Sequence, residues 1–155
     1  MFNKRIKKKL NILRSITHLK YKIFRLKDQP ASISIGLAWG ASVSFTPLLG
    51  LHIIICFLGT YLMKGNMLAA AAGTVVGNPW TFPFIFYMAY KIGVFFGAEG
   101  IENLQITPIF FIENFENLFF PTLIGSIPVS ISVWFVTYYL SNFVIKKYKN
   151  IKRDR

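Results

Sequence analysis

The residues best suited to hold a ligand fall in two short interruptions of otherwise apolar sequence. The first is Ser44-Phe45-Thr46-Pro47-Leu48-Leu49-Gly50, with His52 two residues on; the second is Gly77-Asn78-Pro79-Trp80-Thr81-Phe82-Pro83, and Lys64-Gly65-Asn66 lies between them. The candidate ligand-binding set is Thr46, Pro47, Gly50, His52, Asn66, Asn78, Pro79 and Thr81. Proline disfavours helix at the residue before it and is at home in the first turn of a new one. Thr46-Pro47 and Asn78-Pro79 are therefore each expected to open a helix. A helix N-terminus offers unpaired N–H donors and about half a positive charge. Two such openings facing one another would attract an anion, such as a phosphate or carboxylate head group. The alternative is a pair of proline kinks, with Thr46, Asn78 and Thr81 capping the backbone and no ligand at all.

Other chemistry-bearing residues are few. His52 is either an ionisable group in an apolar helix, and so a functional candidate, or a neutral ring bonded to a nearby carbonyl. Lys64 reads as a border charge that snorkels. Lys91 either snorkels at the outer interface or is an intramembrane cation that meets an anion. Asn66 is placed to cap the helix after the 64–66 turn. Cys56 reads as an inert core thiol, and His18 as a surface residue. No carboxylate pair, HExxH, Gly-rich phosphate loop or G-x-S-x-G occurs, and Ser44 and His52 have no acid near them in sequence. The chain is not expected to be an enzyme. Two histidines and one cysteine without ligand spacing leave no metal site and no cofactor to expect.

The charge distribution says what must position these residues. Residues 1–27 hold ten Lys/Arg and no acid, residues 146–155 hold six Lys/Arg and one Asp, and the stretch between holds two lysines and five acids. The net +12 is thus a property of the two ends. A soluble basic domain, a disordered polyelectrolyte and a disulfide scaffold are all excluded. Stretches 29–63, 65–90 and 117–145 carry no charge, and each exceeds the ~20 apolar residues that cross a bilayer. The first apolar run starts too far in for a cleavable leader. Lys/Arg-rich ends stay in the cytoplasm, while 99–117, with four glutamates and no Lys or Arg, fits the outside.

The charge-free run 29–63 is too long for one simple span. We expect four helical pieces, about 31–45, 47–63, 66–77 and 79–97, the first and third too short to cross alone. Two topologies satisfy the charges. In the preferred one, 31–45 and 47–63 form a re-entrant hairpin that returns Lys64 to the cytoplasmic face, and 66–97 crosses once as a broken helix. In the other, the pieces make three short crossings. Irregular backbone at membrane depth survives only where protein buries it or where it lines a cavity, and paired broken segments point to a transporter-type site.

Flanking segments are amphipathic. Ile6, Leu10, Leu13, Ile16, Ile23 and Phe24 share one helical face and basic residues the other, the pattern of a helix lying on an anionic leaflet; a plain positive-inside anchor is the alternative. Nucleic-acid binding is not expected, since no recognition motif or stacking platform is present. Thr107-Pro108 opens a second interfacial helix that leads into the last crossing. Pro121 and Pro128 are expected to kink that crossing, and Lys146 and Lys147 to stop it. Three G-x-x-x-G spacings, Gly36–Gly40, Gly73–Gly77 and Gly93–Gly97, predict close helix contacts. So small a bundle also leaves room for a homo-oligomer.

The stretch 30–93 resembles a family of bacterial membrane proteins catalogued as domain of unknown function 2062. The residues that carry the resemblance are Gly36-Leu37-Ala38-Trp39-Gly40, Thr46-Pro47-Leu48-Leu49-Gly50-Leu51-His52, Lys64-Gly65-Asn66, Gly77-Asn78-Pro79-Trp80-Thr81 and Tyr87-Met88-Ala89-Tyr90-Lys91-Ile92-Gly93. The family pattern often has Gln at the place of His52, which weakens a proton-carrying role there. The resemblance implies a bacterial protein integral to the cytoplasmic membrane and without an established activity. Similar domains are sometimes joined to glycosyltransferases, which implies envelope or lipid-linked sugar work.

The expected fold is all-α: a polytopic membrane helical bundle with a re-entrant, broken-helix hairpin and amphipathic interfacial helices. Its expected parts are a basic cytoplasmic segment (1–29), a core membrane domain (30–98), an outer acidic segment (99–117), a final transmembrane helix (118–145) and a basic cytoplasmic tail (146–155). The expected location is the bacterial inner membrane, multi-pass, with both ends cytoplasmic. The expected function is transport or flipping of an anionic lipid or phosphate-bearing solute. The alternative is a non-transporting scaffold for an envelope enzyme of glycosyltransferase type. Expected partners are membrane lipids, anionic in character, with a second copy or an envelope enzyme as further partners.

Overall fold

The computed structural model describes residues 28–48, 50–100 and 107–153, and among these every regular element is helical. The amphipathic pattern of residues 6–24 lies outside the described residues. Helix α1 spans Pro30–Val43, α2 Leu51–Leu62, α3 Met67–Gly73 with a 3-10 turn Thr74–Val76, α4 Phe82–Phe95, α5 Pro108–Glu113 and α6 Phe115–Arg153. The four expected pieces are all present, but two openings are displaced. Helix α2 starts at Leu51, four residues after Pro47, because Gly50 at φ 88° redirects the chain first. Helix α4 starts at Phe82, three residues after Pro79, for a reason given below.

Close backbone approach sets how α1, α2 and α3 stack. Helix α2 runs back along α1: Trp39 lies on Gly59, where a Cβ would come within 2.6 Å of the indole, and Val43 packs with Cys56 and Ala70. Helix α3 then follows α1 again. A Cβ on Gly36 would meet the Ala70 amide at 2.9 Å, and one on Gly40 would meet the Gly73 Cα at 2.7 Å. Small residues at this spacing let two helix backbones touch. Two buried hydroxyls of this stack are satisfied inside their own helices, Ser34 Oγ donating to the Pro30 carbonyl and Thr60 Oγ1 to the Cys56 carbonyl.

The turn from α2 to α3 closes by backbone bonds. Gly65 N–H donates to the Thr60 carbonyl at 2.7 Å and Lys64 N–H to the Tyr61 carbonyl at 3.0 Å, the Schellman pattern of a helix C-terminus. The residue at the left-handed position is Lys64, at φ 54°, where glycine is usual. Asn66 then caps α3, its Oδ1 accepting from Ala69 N–H at 2.8 Å.

Helix α6 is the spine. Its 39 residues extend about 58 Å at 1.5 Å per residue. Its C-terminal half carries α1: Ile33 packs on Ile145, and Lys149 Nζ donates to the Asp28 carbonyl. Its N-terminal half carries α4: a Cβ on Gly125 would meet the Gly93 amide at 2.5 Å, and one on Gly93 would meet the Pro121 carbonyl carbon at 2.6 Å. Of the expected glycine pairs, Gly97 instead ends α4 at φ 94° with open space around it. The helix expected to lead into the last crossing is split at Asn114, whose side-chain Nδ2 and backbone N–H both donate to the Phe110 carbonyl. Lys146 and Lys147 end the apolar stretch but not the helix, which runs on to Arg153. Lysine and arginine are good helix formers and favour a helix C-terminus.

Helix α6 is the one helix among the described residues long and apolar enough to cross a membrane, and only 28% of its most apolar window is buried inside the protein. Elsewhere Leu51, Ile54, Leu58 and Tyr61 of α2 are exposed together. Apolar surface of this extent on a soluble monomer is unusual and marks contact with lipid or protein.

Two stability outcomes follow from these contacts. Gly125→Leu would drive side-chain atoms into the α4 backbone, which cannot move aside, and should destabilise the protein by about 3 kcal/mol, read as a lowered thermal midpoint in detergent. Lys64→Gly should raise that midpoint, by about 0.5–1 kcal/mol, because it relieves left-handed strain at some cost in unfolded-chain entropy.

Candidate functional site

The two interruptions come together in space. Thr46 and His52 from the first face Gly77 and Phe82 from the second across a void of about 10 Å³, at the lower limit for a single water. Beside it Pro47 and Pro79 open onto a groove of about 270 Å³. The groove's α4 wall is Phe82, Pro83 and Phe86; its other wall, from α5 and α6, includes Ile112, Phe115 and Phe119. Phe82 and Phe86 stack at 5.4 Å between centroids, and Phe115 and Phe119 lie 5.3 Å apart. This lining is almost wholly apolar. Thr122 lies at its edge, and its buried Oγ1 has no hydrogen-bond partner.

Asn78-Pro79-Trp80-Thr81 is a reciprocal cap. Asn78 Oδ1 accepts from Trp80 N–H at 3.0 Å and Thr81 N–H at 3.1 Å, while Thr81 Oγ1 accepts from Asn78 N–H at 3.0 Å and donates to the Val76 carbonyl at 2.8 Å. Phe82 N–H donates to the Asn78 carbonyl. Asn78 thus acts as the N-cap and Thr81 as the residue that reaches back to it, as in a capping box. Proline suits the position between them because its missing N–H would have no partner there. The regular helix begins only after this turn, at Phe82.

At the other opening, Thr46 Oγ1 donates to the Val43 carbonyl at 2.8 Å, closing α1 rather than starting α2. His52 N–H donates to the Leu48 carbonyl. His52 Nδ1 lies 3.2 Å from the Gly50 amide and 3.3 Å from the Leu48 carbonyl, so that nitrogen has a local partner in either tautomer. The amides of Gly50, His52, Trp80, Thr81 and Phe82 are therefore engaged within the protein. An anion held by them would have to displace bonds already made.

Asn66 is not with the others. It sits at the far end of α1, where its Nδ2 donates to Asp28 Oδ2, its N–H donates to the Ser32 carbonyl at 2.9 Å, and Ser32 Oγ donates to the Lys64 carbonyl. Of the groove's lining, Pro47 and Pro79 were among the candidate residues and the aromatic walls were not. Its signal in the sequence is two phenylalanine pairs four residues apart, 82/86 and 115/119, which place rings on one helix face. Among the described residues no group of His, Cys, Asp or Glu is placed to hold a metal ion.

Family comparison matches residues 13–154 to the model described as uncharacterized protein conserved in bacteria, DUF2062, and the chain belongs to that family. No curated protein and no solved structure matches the chain.

The capping geometry yields a graded expectation. Asn78→Ala should cost about 1 kcal/mol of stability, and Asn78→Ser, which keeps an acceptor oxygen, should recover most of it in thermal unfolding.

Proposed function

We propose that the chain is an integral membrane protein of the bacterial inner membrane that holds the hydrocarbon part of a lipid in the groove beside Pro47 and Pro79, in the service of moving that lipid across or within the bilayer. The groove carries this reading. It is apolar, and it lies where two chain breaks meet, beside the exposed Trp80. An apolar lining suits a lipid chain better than a soluble phosphate-bearing solute.

The packing supports the re-entrant topology. Helix α1, with α2 and α3 stacked on it, packs against the half of α6 that ends in Lys146, Lys147 and Lys149, and α4 packs against the other half. In that arrangement the α1–α2 hairpin enters from the lysine-bearing face and returns to it at Lys64. Helix α3 covers the inner half of a crossing and α4 the outer half. The groove then falls in the outer part of the bilayer.

The scaffold alternative has its own observation. A second groove, of about 540 Å³, runs between Trp39 and Met63 on one side and Ile131, Trp134 and Phe135 on the other, beside the exposed face of α2. That surface suits a partner helix, from a second copy or an envelope enzyme.

A phospholipid carrying a diazirine in its acyl chain tests the first reading in vesicles. Crosslinks should concentrate at 82–86 and 115–119. Crosslinks on α2 and on α6 beyond residue 125, with none at 82–86 or 115–119, would refute it and favour the scaffold. Topology is checked separately in a Cys56→Ala background: a Glu113→Cys variant should be labelled only from outside and a Lys147→Cys variant only from the cytoplasm.

A further inference from the structure

We infer that His52 is a proton-operated latch on the groove: neutral, its ring holds the turn that carries Pro47, and protonation releases that turn. This rests on the groove holding a lipid chain, and it concerns what makes the groove let go. The ring does not have to pass a proton on; it has only to gain or lose one.

The latch is a single nitrogen set between a donor and an acceptor. Gly50 N–H donates to His52 Nδ1 at 3.2 Å, and the Leu48 carbonyl lies 3.3 Å from the same atom. A neutral imidazole can leave Nδ1 bare to accept from Gly50, whereas an imidazolium carries a proton on both nitrogens and can only donate. Protonation therefore breaks the bond to Gly50 and gives Nδ1 to the Leu48 carbonyl, which already accepts from His52 N–H at 2.9 Å. Side-chain packing does not brace the turn at Gly50. That residue is exposed, its φ of 88° is one that glycine tolerates best, and a Cβ there would meet nothing within 4 Å.

The ring is tied to the groove on two sides. Pro47, next to Leu48 in the chain, lines the groove. Phe82 lines both the groove and the small void that His52 borders. The other residues around that void are Val43, Ser44 and Thr46 from the end of α1 and Gly77 from the second break. None of these titrates. On α2 itself the nearest titratable group in sequence is Cys56, a buried thiol one turn on that packs with Val43 and Ala70. No carboxylate or cation therefore lines the void beside the ring, and the one group there whose charge ordinarily changes between about pH 5 and 8 is His52.

The test is groove labelling in vesicles by a phosphatidylcholine with a diazirine in its acyl chain, a probe whose head group keeps its charge across that range. Labelling at 82–86 and 115–119 should fall about fivefold between about pH 8 and about pH 5, the effect of losing one hydrogen bond. His52→Gln, whose amide oxygen can accept from Gly50 without titrating, should label strongly at both. His52→Leu, with no acceptor, should label weakly at both. A fall of the same size in His52→Gln, strong labelling in His52→Leu, or equal labelling of the unaltered protein at the two pH values would each overturn the latch and leave the groove standing. Absence of groove labelling in the unaltered protein at either pH would overturn both.

Discussion

Backbone-on-backbone contact at glycine is what the rest of this protein depends on. Helices α1 and α3 touch through Gly36, Gly40 and Gly73, and α4 and α6 touch through Gly93 and Gly125. Each contact joins elements that could not stand alone. Helix α3 has seven residues and α4 has fourteen, both short of a membrane crossing. Seated on α1 and α6, they place two chain breaks side by side. With bulkier residues at these positions the breaks would separate, and the groove between Pro79 and Phe119 would lose a wall.

The breaks are stabilised by the residues that create them. Asn78 and Thr81 cap each other, and Thr46 closes α1. Irregular backbone away from water must satisfy its polar groups internally, and here it does so through side chains two to five residues away. The polar residues are thus spent on structure, and the groove beside the breaks is lined mostly by ring and proline.

Much of the fold was legible in advance. The four pieces, the glycine contacts at 36, 40, 73 and 93, and the caps at Asn66 and Thr107 all follow from local rules that need few neighbours. The groove did not. Its walls come from α4, α5 and α6, and phenylalanine four residues apart reads equally as core, lipid face or ligand wall until the partner helix is known. Gly125 was missed because its contact is with Ala89 and Gly93, not with a second glycine of its own helix. Helix start sites were misplaced at both prolines because each proline marks where a turn begins: Gly50 redirects the chain before α2, and the Asn78–Thr81 cap is completed before α4.

The contact at Gly125 also has a thermal consequence. Apolar burial driven by water weakens on cooling, but two peptide backbones in van der Waals contact draw on dispersion, which has no such dependence. A bundle joined in this way should keep its helix spacing near freezing, when proteins held by side-chain burial loosen.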